Sequence, residues 1–227
     1  MDENFIKEII RGTILSFENG FSLFKAAKLL YRNKFYAISV AMCVLSIEEL
    51  GKTHIISRSI YLNKSKKKER NKWYFDKFRN HINKSGVAVY SYKYAKDLIE
   101  KGDILLENEL DSLLNAKISN KIKESGIYVD IDNEGNFYSP KDIIDKNMAK
   151  AYLKFTRELV NSYNERYVKI KGANPRVLLE YYKEMISLGE KYEINKIKDK
   201  ESYTAENIER LKIFGDEAKR IAKKYNI

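Results

Sequence analysis

The stretch Ser46-Ile-Glu-Glu-Leu-Gly-Lys52 places two adjacent carboxylates and a lysine at the end of an otherwise apolar run. Ionised groups there need a partner or a water-filled cleft, because an unpaired charge taken out of water is costly. Glu48 and Lys52 stand four apart and can pair on one helix face. An ordinary intrahelical ion pair accounts for that spacing without any chemistry. The second candidate is Arg79-Asn80-His81. Histidine gives and takes a proton near neutral pH, and a nearby arginine can hold a phosphate with two N–H donors. Alone, a histidine in a basic helix is more often an exposed or capping residue. Together the two stretches make a kit for cutting RNA without a metal. His81 would act as acid or base, with Glu48 alongside, while Arg79, Lys52 or Lys84 stabilises charge on the phosphate.

Other chemistries lack their signatures. There is no Walker phosphate loop, no Cys-x-x-Cys, no His-Glu-x-x-His and no Gly-x-Ser-x-Gly. With only His54 and His81, a multi-histidine metal site is implausible, and neither a metal nor a cofactor is expected. Asp130, Asp132 and Glu134 fail the twelve-residue calcium-loop pattern, so a hairpin turn is the better reading.

Forty-three basic against thirty-two acidic side chains give a formal charge of +11, an excess that attracts polyanions such as RNA. Lys64-Ser-Lys-Lys-Lys-Glu-Arg-Asn-Lys72 is too charged for a core and fits a solvated loop or an exposed helix start. Lys66, Lys67, Lys68 and Arg70, with Asn80 and Lys84, are the candidate RNA contacts. A membrane-surface role for this run carries less weight, since no amphipathic anchor flanks it.

The elements that must position these residues are helices. Two prolines and ten glycines leave few obligatory breaks, and Phe5, Ile9, Phe17, Phe21 and Phe24 recur at helical steps. A first helix over about 3–31 bends near Gly12 or Gly20, then Arg32-Asn33-Lys34 links it to a buried second helix over 35–59, forming an antiparallel hairpin. A third helix covers 73–84 and ends at Ser85-Gly86, and another covers about 107–123. Residues 127–138 alternate apolar and polar around Asn133-Glu-Gly135, the signal for a small β-hairpin. Pro140 opens a helix to about 167, and two amphipathic helices follow over 176–191 and 203–225.

The expected fold is therefore mainly all-α, an antiparallel bundle with a β-hairpin insertion near 127–138 and C-terminal helices. Its main domain spans 1–170 and a helical extension 171–227. The lone Cys43 sits in an apolar run as a small core residue and points to a reducing compartment. No signal peptide is visible and the longest apolar stretch is too short for a bilayer, so the expected location is cytoplasmic, with no membrane partner.

Three landmarks in order, Ala37-Ile-Ser-Val-Ala-Met-Cys-Val-Leu-Ser-Ile-Glu-Glu-Leu-Gly-Lys52, Phe78-Arg-Asn-His-Ile-Asn-Lys84, and Gly126-Ile-Tyr-Val-Asp130 with Ser139-Pro140, resemble those of AbiV-type HEPN proteins of phage-defence (abortive infection) systems. The resemblance covers about 19–150. It implies a HEPN helical bundle, a homodimer with clefts at or near its interface, and an infected cell that halts its own translation. A phage-encoded protein trigger belongs to the same expectation. Many HEPN relatives are metal-independent ribonucleases using an Arg and a His, roles that fall here on Arg79 and His81, with Glu48 and Lys52 alongside. The usual HEPN pattern separates that Arg and His by four to six residues. Here a single residue intervenes, which turns the two about 200° apart on a helix. The other reading is a non-catalytic interaction module in which Glu48, Glu49, Lys52 and His81 form a structural polar network.

Overall fold

Apolar residues three and four apart between Phe5 and Ala27 wind into one unbroken helix, α1 (Glu3–Arg32), in a computed structural model. The structure describes residues 3–61, 116–194 and 205–227, together with Lys72, Asp76, Lys77, Phe78, Lys84 and Ala88. The bend expected at Gly12 or Gly20 does not break the helix, because both glycines serve contact with the next helix. A Cβ on Gly12 would meet Ile56, and one on Gly20 would lie 3.2 Å from the Ser46 carbonyl oxygen. Lys34, in the left-handed region at φ 64°, turns the chain into α2 (Tyr36–Arg58).

Two buried serines stitch the pair. Ser39 Oγ donates to the Ala27 carbonyl at 2.8 Å, and Ser46 Oγ donates to that of Gly20 at 2.7 Å. The contacts run in opposite directions along the two helices, which makes the hairpin antiparallel as expected. A short 3₁₀ turn, Ser59–Tyr61, follows α2. Lys72, Asp76, Lys77, Phe78 and Lys84 are helical, as is Ala88 beyond the expected stop. The stop at Ser85-Gly86 and residues 107–115 of the next expected helix lie outside the described residues.

Helix α3 (Ala116–Ser125) leads to the hairpin, whose strands β1 (Asp130–Ile131) and β2 (Phe137–Tyr138) pair antiparallel with Asp130 opposite Tyr138 and Ile131 opposite Phe137. Gly135 at φ 89° makes the turn possible without a Cβ penalty. Asp132 accepts from the backbone N–H groups of Glu134 and Asn136, both at 2.9 Å. Those bonds, the Asn136 N–H first, hold its carboxyl below the usual range.

The single helix expected over 140–167 is two. Ser139 and Asp142 form a capping box for the one-turn α4 (Pro140–Ile143), Ile144 goes extended, and Asp145 caps α5 (Lys146–Gly172) by accepting from the Met148 N–H at 2.7 Å. Asn174 caps α6 (Pro175–Lys191), and α7 (Ala205–Tyr225) closes the chain.

Two cores result. One joins Phe17 and Phe24 of α1, Val40, Val44 and Leu50 of α2, and Tyr152, Phe155 and Leu159 of α5. The other joins Ile6 and Ile9, Ile56 and Ile60, and Leu178, Tyr181 and Met185 of α6, with Phe214, Ala218 and Ile221 of α7 packed against it. The C-terminal helices thus complete a core begun by the first turns of α1. Cys43 is fully buried as expected, and burial pushes its thiol up to about 12. Among the described residues no helix is long and apolar enough to cross a membrane.

Candidate functional site

The Glu-Glu-Leu-Gly-Lys stretch occupies the middle of α2, and each residue does something different. Glu48 is only 2 % exposed. Its Oε1 accepts from Lys123 Nζ of α3 at 2.8 Å, and its Oε2 faces Lys84 Nζ at 3.2 Å. Lys84 and Lys123 are themselves 4 % and 7 % exposed. Leu50 belongs to the first core. Gly51, one turn after Glu48 on the same face, is the reason Lys84 can reach it. A Cβ there would stand 1.9 Å from the Lys84 carbonyl oxygen and 3.3 Å from the Ala88 Cβ, so hydrogen is the only side chain the approach allows.

The expected Glu48–Lys52 pair does not form. Lys52 instead hydrogen-bonds Glu49, three residues back, and its Nζ lies 5.6 Å from the centre of the Phe78 ring. Glu48 turns toward the two lysines from distant segments, while Glu49 and Lys52 stay partly exposed. Lys84, a candidate RNA contact, is sealed against Glu48, so its ammonium does not face solvent. Arg79, Asn80 and His81, with Lys66, Lys67, Lys68 and Arg70, lie outside the described residues.

Farther along α2 the environment opens. A cleft of about 210 Å³ lies between α1, α2 and α5. Each helix contributes a stripe at i, i+1 and i+4: Thr13, Ile14 and Phe17; Thr53, His54 and Ser57; and Ser162, Tyr163 and Arg166, continued by Tyr167 and Ile170. No carboxylate is among the described lining residues. His54 is half-buried and Arg166 exposed at the mouth. Burial pushes the Tyr182 hydroxyl up to about 12, and the charge of Arg166 opposes that rise.

One edge of the cleft is fixed from outside. Tyr167 Oη and Lys171 Nζ both donate to Glu18 Oε1 at 2.7 Å, and the Tyr167 ring stacks on Phe17 at 4.1 Å between centroids. The Lys171 hydrogen bond, then that of Tyr167, holds the Glu18 carboxyl below its ordinary range. Sequence reading noticed His54 only in dismissing a metal site and passed over Arg166. The two are 112 positions apart, and no local spacing announces that α5 will lie across α2.

Neither the curated proteins nor the solved structures contain a match to this chain. A family model does match: that of the AbiV HEPN domain aligns with residues 8–161, which takes in α1, the Glu48 cluster, the hairpin and α5 as far as Asn161. The bundle of long helices with one two-stranded ribbon agrees with that match, and the chain belongs to the AbiV family of HEPN proteins.

Proposed function

We propose that this protein is a phage-defence effector of the abortive-infection type that acts on RNA or the translation machinery as a metal-independent HEPN ribonuclease. Family membership carries the reading. The formal charge of +11 supports a polyanionic target. In this reading His81 transfers the proton and Arg79 steadies the phosphate. In the same reading Glu48 and Lys84, buried against each other, hold the bundle rather than touch substrate. The protein works in the cytoplasm as a homodimer, switched on by a phage-encoded protein. Exposed apolar side chains support the dimer: Phe35 precedes α2 and Ile38 lies in its first turn, Gly126, packed against Ala37, places Ile127 at the same end, and Val129 and Phe137 are exposed in the hairpin segment that follows.

The test incubates purified protein with total RNA and tRNA in EDTA, beside His81→Ala and Arg79→Ala. Degradation by the wild type that both variants lose is the expected result. Equal degradation by all three, or none, removes the catalytic claim. A second reading, a non-catalytic interaction module, draws on the sealed Glu48–Lys84–Lys123 cluster. It predicts that His81→Ala lowers the melting temperature or dissociates the dimer in sedimentation while RNA stays intact.

A further inference from the structure

We propose that the cleft between α1, α2 and α5 is a nucleotide site, with the phosphate held by Arg166 and His54 at its mouth. The cleft joins a guanidinium, an imidazole and the hydroxyls of Ser57 and Ser162, with no carboxylate among the described residues that line it. A planar fork of N–H donors beside hydroxyls is suited to phosphate oxygens, and no anion among the described lining residues repels them. Behind these groups Ile14, Phe17 and Ile170 form an apolar floor for the less polar part of the ligand. At about 210 Å³ the space is at the small end for a ligand site.

The cleft has an extension. Ile14 and Ile170 also line a groove of about 920 Å³ that runs between α1 and α6. Its rim carries Lys7, Arg11 and Arg176, while both of its acids, Glu3 and Glu180, are held by Lys183 at 3.3 and 3.0 Å. A nucleotide seated in the cleft can therefore continue as a strand whose next phosphates meet these cations, or it can be a free nucleotide that stops at the floor. Choosing a nucleotide among phosphate compounds rests on the RNA-directed reading above; the choice of cleft rests on its own geometry.

The test is calorimetric titration of the full chain with 5′-AMP, a single-stranded hexaribonucleotide and hexaglutamate. The variants are Arg166→Ala, His54→Asn and the double variant Lys7→Ala/Arg176→Ala, with Lys212→Ala on α7 as a charge-matched control. Arg166 is exposed, so its variant keeps the wild-type melting temperature. AMP and hexamer should bind the wild type, and Arg166→Ala and His54→Asn should each weaken both by about tenfold or more, the scale of a hydrogen bond to a charged group. If the double variant weakens the hexamer beyond its effect on AMP, the ligand is a strand; equal effects identify a free nucleotide. No binding of AMP or hexamer, variants that behave like Lys212→Ala, or hexaglutamate that displaces AMP would overturn the proposal. RNA degradation that persists without nucleotide binding in the cleft sinks the cleft alone. Intact AMP binding by a protein that leaves RNA uncut sinks the nuclease alone.

Discussion

Glu48 and His54 sit six residues apart on the same helix, about 9 Å along its axis and about 120° round it, in opposite surroundings. Glu48 is closed in by Lys84 and Lys123 and both its oxygens face ammonium groups. His54 looks into a cleft that solvent reaches, beside an exposed arginine. Both sites contain the residue types that chemistry uses. The difference is water. A sealed charge cluster holds segments together because any member removed strands the others in a poor solvent for ions. An open one keeps its groups within reach of solvent. Charged residues in a helix are therefore better sorted by what closes over them than by their identities.

The largest break in that contrast comes from Glu48→Gln. Glutamine keeps the shape and removes the charge, leaving the ammoniums of Lys84 and Lys123 facing a neutral amide in a buried site. Breaking a buried pair by removing one partner costs about 3–5 kcal/mol, and a loss of that order in unfolding free energy is expected from denaturant titration, seen as a lower midpoint. Arg166→Ala at the open site should stay within about 0.5 kcal/mol. Labelling of Cys43 gives a second readout. Burial that pushes its thiol up to about 12 keeps it inert in the native chain, so Glu48→Gln should speed alkylation by opening the core. Equal stability of the two variants would erase the distinction between the sites.

A glycine pair sharpens the same point through shape alone. Gly51→Ala drives a methyl into the Lys84 carbonyl, so the segment carrying Lys84 must retreat from Glu48. Overpacking of this kind costs about 1–3 kcal/mol, against a helix-propensity gain of up to about 1 kcal/mol. A net loss is expected by chemical denaturation. Gly215→Ala, inside α7 with nothing within 4 Å of the added carbon, keeps only the gain and should stabilise by up to about 1 kcal/mol. A stabilised Gly51→Ala protein would mean that the close approach is not needed.

Helix spacing in the sequence locates α1, α6 and α7 within a few residues, because each buries one face against a core and so keeps its three-and-four repeat, while α2 is located as an apolar run after a polar link. The break between α4 and α5 escapes that logic. Ile144 and Asp145 fit a helical pattern in composition, and the break shows in the structure alone, where Ile144 goes extended and Asp145 accepts from the Met148 N–H. Glu48 is recognisable as a charge in an apolar run, but its partners are not. Lys52 is nearby and satisfies the i, i+4 rule, yet the observed cations come from positions 84 and 123. Gly51 was legible as a landmark, while its role depends on a backbone that arrives from elsewhere in the chain. The cleft was the least legible feature, since His54 and Arg166 meet only through the packing of three helices.

The smallest expected effect is at the cleft's outer edge, where Glu18 accepts from Lys171 and Tyr167. These bonds hold the Glu18 carboxyl below its ordinary value of 4.5. A carboxyl whose pKa is lower folded than unfolded contributes stability above its unfolded pKa and loses it as pH falls through the folded one. The contribution is therefore full at neutral pH and fades below about pH 4.5. Glu18→Gln should flatten that part of the acid limb in a melting-temperature profile and lower the neutral plateau slightly, because the group is open to solvent and well screened. The variant also frees Lys171 to swing from the Tyr167 ring, so the cleft edge loosens while the Glu48 cluster stays shut. An acid limb identical to that of the wild type would show that the Glu18 bonds contribute nothing to folding, and would leave the Phe17–Tyr167 stack as what holds that edge.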